Sequence, residues 1–110
     1  MSSILIVEDE VLTSEYLEFV LQEAGYEAVP ASSAEEAITI LEHRGGVHLV
    51  VTDINLPGGL NGLQLAALVR DRWPAINIIV VIRRRLSDRV PANTINAPIS
   101  LCIDKRLGPS

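Results

Sequence analysis

Short apolar runs alternate with amphipathic stretches along this chain. Ile4-Leu5-Ile6-Val7, Val47-His48-Leu49-Val50-Val51-Thr52 and residues 76–82, apolar except Asn77, are too short and too β-branched for helices. They read as strands buried on both faces, with a weaker strand at 26–30 and another at 99–103. Between them the period changes to that of a helix. Over 10–24, Leu17, Val20, Leu21 and Ala24 share one face, with Gly25 in place to end the helix. Ala34, Ala37, Ile38 and Leu41 do the same after the capping box Ser33-Ala34-Glu35-Glu36, and Gly45-Gly46 stops that helix. A second box, Asn61-Gly62-Leu63-Gln64, opens a helix to about Arg72, which Pro74 prevents from continuing.

The order βαβαβαβ predicts a parallel sheet covered by helices on both faces, with right-handed crossovers. After residue 82 the pattern weakens. Pro91 and Pro98 bracket a polar stretch that cannot hold a long helix, and residues 104–110 are too short and too rich in Gly and Pro for another. The expectation is an α/β sandwich with five parallel strands, its fourth helix short or absent and its last helix missing. All of residues 1–110 read as one domain.

Polar residues at the carboxyl ends of the strands carry the chemistry. Glu8-Asp9-Glu10 follows the first run, Asp53 ends the third, and the chain's single lysine, Lys105, follows the last. Ligands of open parallel sheets bind at such ends. Carboxylates crowded there repel one another and call for a cation. Hard oxygen donors without His or Cys beside them suit Mg²⁺ better than zinc. With a divalent ion bound, Asp53 can act as a nucleophile toward a phosphoryl group, and Lys105 can meet a phosphoryl oxygen. The plainer alternative for Asp9 is a cap on the helix that follows it.

Charge and composition narrow the classes. The net charge is −5, which argues against nucleic acid as a partner. It is uneven: residues 1–75 hold twelve acids and three basic residues, whereas residues 76–110 hold two acids and six basic ones. The one cysteine, Cys102, lies in an apolar run and reads as core; it implies no disulfide. No run approaches the ~20 apolar residues of a membrane span, and no basic leader precedes the first strand. The cytoplasm is the expected compartment. Arg83-Arg84-Arg85 reads as a solvated turn, or as a source of guanidinium for the acidic site.

Taken in order, Ile4-Leu5-Ile6-Val7-Glu8-Asp9-Glu10, Val50-Val51-Thr52-Asp53-Ile54-Asn55-Leu56-Pro57 with Gly62 beyond, and Lys105 resemble the receiver domain of two-component response regulators, most strongly over residues 3–82. The resemblance implies a flavodoxin-like fold. It implies that Asp53 accepts a phosphoryl group from a histidine kinase or phosphotransfer protein. It also implies that Asp9 and Asp53 hold Mg²⁺ directly, Glu8 through water, and Asn55 through its backbone carbonyl, with Lys105 on the phosphoryl group. The family's switch hydroxyl at the end of the fourth strand is replaced by Ile82 or Arg83, its fifth-strand aromatic by Cys102, and the Pro after its lysine by Arg106. These departures gather on the family's output face, so self-association through the C-terminal face is expected. A receiver that acts by protein contact alone, without phosphorylation, is the competing expectation. An aspartyl phosphatase fits less well, because Asn55 stands where a second acid would serve. A nucleotide-binding domain lacks a Gly-rich loop after the first strand.

Overall fold

The computed structural model describes residues 2–83 and 99–103 of the chain, with side chains described through Val81. Eight elements follow in order: β1 (Ser3–Val7), α1 (Val11–Glu23), β2 (Glu27–Ala31), α2 (Ala34–His43), β3 (Val47–Asp53), α3 (Gly62–Arg72), β4 (Asn77–Arg83) and β5 (Ile99–Ile103). They form one sheet in the order β2-β1-β3-β4-β5. This is the doubly wound order of flavodoxin-like folds. The strand order reverses between β1 and β3, so the crevice at their carboxyl ends is the topological switch point.

β1 to β4 run parallel, as the sequence predicts. β5 departs from that expectation: it lies antiparallel to β4, with Val80 opposite Cys102 and Val81 opposite Leu101. A parallel return needs a crossover of about a dozen residues or more, usually helical. Residues 84–98 carry Pro91 and end in Pro98, which oppose such a helix. The expected short fourth helix and missing last helix, and with them Arg84, Arg85, Lys105 and Arg106, lie outside the described residues.

The core sits between the sheet and α2 with α3. Leu5, Val7, Val50, Ile78 and Val80 point into it from alternate strand positions, against Ala34, Ala37, Leu41, Leu65, Ala66 and Val69. Small alanines let α2 approach the strands closely. Arg72 ties α3 to α2 through Glu42 at 2.9 Å and lies 4.4 Å over the Trp73 ring.

On the other face α1 packs against β1 and β2. Ile4 and Ile6 are fully buried there, whereas Leu49, Val51, Ile79 and Val81 on β3 and β4 are half-buried. The inward stripe of α1 is narrower than its sequence suggests. Ser14 is buried and Leu17 and Leu21 are half-buried, but Val20 is 40% exposed.

Local signals explain where helices begin. Asn61 Oδ1 accepts from Gln64 N–H at 2.8 Å, and Gln64 Oε1 accepts from Asn61 N–H at 2.9 Å, which completes the expected box. At α2 the Ser33 hydroxyl accepts from Glu36 N–H, but the Glu36 carboxylate reaches one residue further back, to Ser32 N–H and its hydroxyl. Those two bonds hold the Glu36 carboxyl below the usual range. At the opposite end of the sheet the Ser3 hydroxyl, and after it Arg44, lower the carboxyl of Glu27.

Candidate functional site

Two strand ends build the site. β1 stops at Val7, and Glu8 N–H still donates to Ala31 O on β2 at 2.9 Å. This last rung of the ladder anchors Glu8 against the sheet, where it is 6% exposed. Its Oε2 accepts from Glu10 N–H at 3.0 Å, which sets the turn into α1. Asp9, between them, is exposed. The N-cap of α1 is Glu10, without a side-chain capping bond, so the capping alternative for Asp9 has no geometry behind it.

Asp53 is the last residue of β3 and is 5% exposed. The chain around it is tied at three points. Thr52 Oγ1 donates to Asp53 O at 2.9 Å, Ile54 N–H donates to Val81 O on β4 at 3.0 Å, and Gly62 N–H donates to Ile54 O at 2.8 Å. The first turn of α3 therefore seats directly against the end of β3. Asn55 N–H donates to Asp53 Oδ1 at 3.1 Å and so orients the carboxylate from its own loop. The Asn55 residue as a whole is exposed.

Parallel pairing of β1 with β3 brings the acids together. One carboxylate oxygen each from Glu8, Asp9 and Asp53 lies within 4.8 Å of the others. At that separation the two buried carboxylates, Glu8 and Asp53, repel by roughly 3 kcal/mol at an effective dielectric of about 20. A cation between them offsets that repulsion. Three carboxylate oxygens, one of them open to water, suit a hard ion that keeps part of its hydration, as Mg²⁺ does. The two histidines stand apart, as the sequence suggests: His43 is exposed near the end of α2 with Nδ1 2.8 Å from Thr39 O, and His48 is exposed on β3.

The register places Val81 opposite Asp53, with Ile82 and Arg83 the next residues of β4. Both candidate switch positions thus sit on the strand beside Asp53, and neither residue type carries a hydroxyl. Lys105 lies outside the described residues. Beside Glu8 and Asp9 a cavity of about 300 Å³ opens between α1 and the end of β2, lined in part by Val11, Ser14, Pro30 and Ser32.

One contact was not foreseen from the sequence. Glu35, in the first turn of α2, accepts from Gly59 N–H at 3.2 Å across the loop that follows Asp53. Nothing in its local sequence separates it from an ordinary first-turn acid, which favours the helix dipole in any case.

Comparison with known proteins agrees with the site. The response regulator receiver domain family matches residues 4–110. Response regulator protein FleR of Pseudomonas aeruginosa is 35% identical over 88 residues, which are 80% of this chain and 18% of that protein. Aerobic respiration control protein ArcA of Escherichia coli K12 is 42% identical over 69 residues, 63% of this chain and 28% of ArcA. The chain thus spans well under half the length of these relatives. Among solved structures, the response regulator TrrA of Thermotoga maritima in complex with Mg²⁺-BeF superposes with a TM-score of 0.65 at 38% identity, covering 71% of this chain and 66% of that one. TrrA bound to the histidine kinase ThkA gives 0.69 at 34%, covering 88% and 81%. With the 2-1-3-4-5 sheet order and the acids at its switch point, these matches make the chain a member of the response regulator receiver domain family.

Proposed function

We propose that residues 1–110 act as one phospho-accepting receiver domain in which Asp53 is the phosphoryl acceptor. The observation that carries this reading is the convergence of Glu8, Asp9 and Asp53 within 4.8 Å at the switch point of the sheet. One Asp53 oxygen attacks the phosphorus of a phosphohistidine. The P–N bond breaks, the imidazole nitrogen leaves and takes up a proton, and an acyl phosphate remains on Asp53. Water later hydrolyses that acyl phosphate and restores the carboxylate.

Asp9 and Asp53 would hold Mg²⁺ directly, Glu8 through a water, and Asn55 through its backbone carbonyl; similarity to TrrA, solved in complex with Mg²⁺-BeF, supports a Mg²⁺ site in this fold. The ion supplies neutralisation of phosphoryl charge. The chain's own contributions are separate. Asn55 N–H holds Asp53 in one orientation. Burial of Asp53 limits the water around the attacking oxygen. Lys105 would answer the charge of the phosphoryl oxygens. With Ile82 and Arg83 in place of a hydroxyl residue, the signal would leave the site by a route other than hydroxyl reorientation. The test is phosphoryl incorporation from acetyl phosphate with Mg²⁺, and its loss on chelation and in Asp53→Asn. Absence of incorporation in the wild type would support the contact-only reading instead.

The partner is a histidine kinase or phosphotransfer protein, as in the ThkA–TrrA complex. Leu12, Tyr16 and Phe19 recur at helical spacing on α1 and are 77%, 64% and 60% exposed. This apolar stripe starts beside Asp9, where a phosphodonor must approach. Leu12→Asp should lower transfer from a kinase that labels the wild type by roughly tenfold or more, the loss of one interface anchor. Labelling by acetyl phosphate should stay unchanged. Equal losses with both donors would refute the contact.

Half-burial of Leu49, Val51, Ile79 and Val81 supports self-association through the C-terminal side of the sheet. Light scattering should show mass rising with concentration, and a constant monomer mass would exclude it. Among the described residues no helix is long and apolar enough to cross a membrane. The proposed kinase partner, rather than that feature, is what points to action at the cytoplasmic side.

A further inference from the structure

The loop from Ile54 to Asn61 is held at its base by β3 and α3, through the Gly62–Ile54 bond. At its tip stand two successive glycines, and Gly58 has φ +89°, a conformation in which side chains are strained. Such a tip has little of its own to keep it in one place. The Glu35 carboxylate supplies that constraint from another element. Its Oε2 accepts from Gly59 N–H at 3.2 Å, and a Cβ at Gly58 would come within 3.1 Å of its Oε1. A side chain at Gly58 is therefore strained by φ, and the Glu35 carboxylate would have to give way by a few tenths of an ångström to admit it. Glu35 itself stands on α2, whose Ala34 and Ala37 are fully buried against the sheet. The latch is thus fixed to the core, and the loop is fixed to the latch.

We propose that Glu35 is a positioning residue that preorganises the loop after Asp53 for cation binding. The inference rests on the reading of the acidic cluster as a Mg²⁺ site. Asn55 lies between the tied base and the latched tip, and its N–H orients Asp53. When the tip is released, the segment carrying Asn55 gains conformations that do not present it to Asp53. Ion binding must then select among them, and affinity falls by the fraction that is competent. Glu35 is exposed and bonds a surface loop, so its removal changes the site without unfolding the domain.

Three proteins test this: wild type, Glu35→Ala and Glu35→Gln. The glutamine keeps an acceptor oxygen for Gly59 N–H and removes the charge. Measured by titration with Mg²⁺ alone, the alanine variant should bind about three- to tenfold more weakly, the net effect of one ordinary hydrogen bond, while the glutamine variant recovers most of the affinity. The exchange rate of the Gly59 amide, read without any ion, should rise in the alanine variant and stay low in the glutamine. Alanine indistinguishable from wild type in both readouts overturns the proposal. So does an equal loss in both variants, which would assign the effect to the charge of Glu35 acting at a distance. A wild type that binds no Mg²⁺ overturns the metal reading along with its consequence here, whereas the amide exchange still reports on the latch alone.

Discussion

Gly62→Ala should destabilise the fold by about 3 kcal/mol, the upper part of the range for inserting a methyl group into a close-packed place. The reason is backbone against backbone. A Cβ at Gly62 would lie 2.2 Å from the Asp53 carbonyl oxygen and 2.8 Å from Ile54 Cα. No rotamer change relieves such contacts. Either α3 retreats from the strand end or β3 bends, and both break the 2.8 Å bond from Gly62 N–H to Ile54 O. For a domain of this size the loss corresponds to a fall of roughly 10–20 °C in Tm. The surviving folded protein should also bind Mg²⁺ poorly, because the peptide that moves is that of Asp53. Thermal or urea unfolding followed by circular dichroism measures the first effect. A variant within about 0.5 kcal/mol of wild type, inside the usual scatter for surface positions, would show that α3 does not dock as described.

The same glycine shows why so much of the site is legible in the sequence. Asn61 and Gln64 announce the start of α3 by their spacing, and the geometry of both bonds follows from that start. Glu8, Asp9 and Asp53 are legible for a related reason. Each follows an apolar run, parallel strands deliver their carboxyl ends to one edge, and β1 and β3 are neighbours. Local pattern and topology together suffice.

What the sequence leaves open depends on partners distant along the chain. The direction of β5 is set by its pairing with β4, and a short, mostly apolar pentapeptide reads the same in either direction. The exposure of Val20 depends on which strands α1 covers, and α1 reaches β1 and β2 only in part. The Glu35–Gly59 bond joins residues 24 apart, between a helix start and a glycine loop that no periodicity relates. Glu36 illustrates a smaller limit: the capping box predicts a bond back to Ser33, and the carboxylate instead satisfies Ser32, one residue beyond. A motif fixes that the donor is satisfied more securely than which donor it is.

Asp53→Asn should abolish phosphoryl incorporation while leaving the fold in place. The amide has nearly the carboxylate's shape, so the buried position stays filled, and its Oδ1 can still accept from Asn55 N–H. What changes is charge and nucleophilicity. An amide oxygen does not form a stable acyl phosphate, and it contributes no negative charge toward a cation. Substitution of groups that only support metal ligands costs about 10- to 100-fold in affinity, so loss of a direct carboxylate ligand should weaken Mg²⁺ binding by at least about tenfold. Stability reports the same loss independently of chemistry. At a Mg²⁺ concentration of about 100 times its Kd the wild type gains about 2.7 kcal/mol; a variant that binds tenfold more weakly keeps about half of that gain, and one that binds a hundredfold more weakly keeps about 0.4 kcal/mol. Mass spectrometry after incubation with acetyl phosphate and Mg²⁺, beside melts with and without the ion, separates the readings. Loss of both effects with intact circular dichroism identifies Asp53 as acceptor and ligand together. A variant that still takes up phosphate moves the acceptor elsewhere, and a wild type that gains no stability from Mg²⁺ removes the ion from the mechanism.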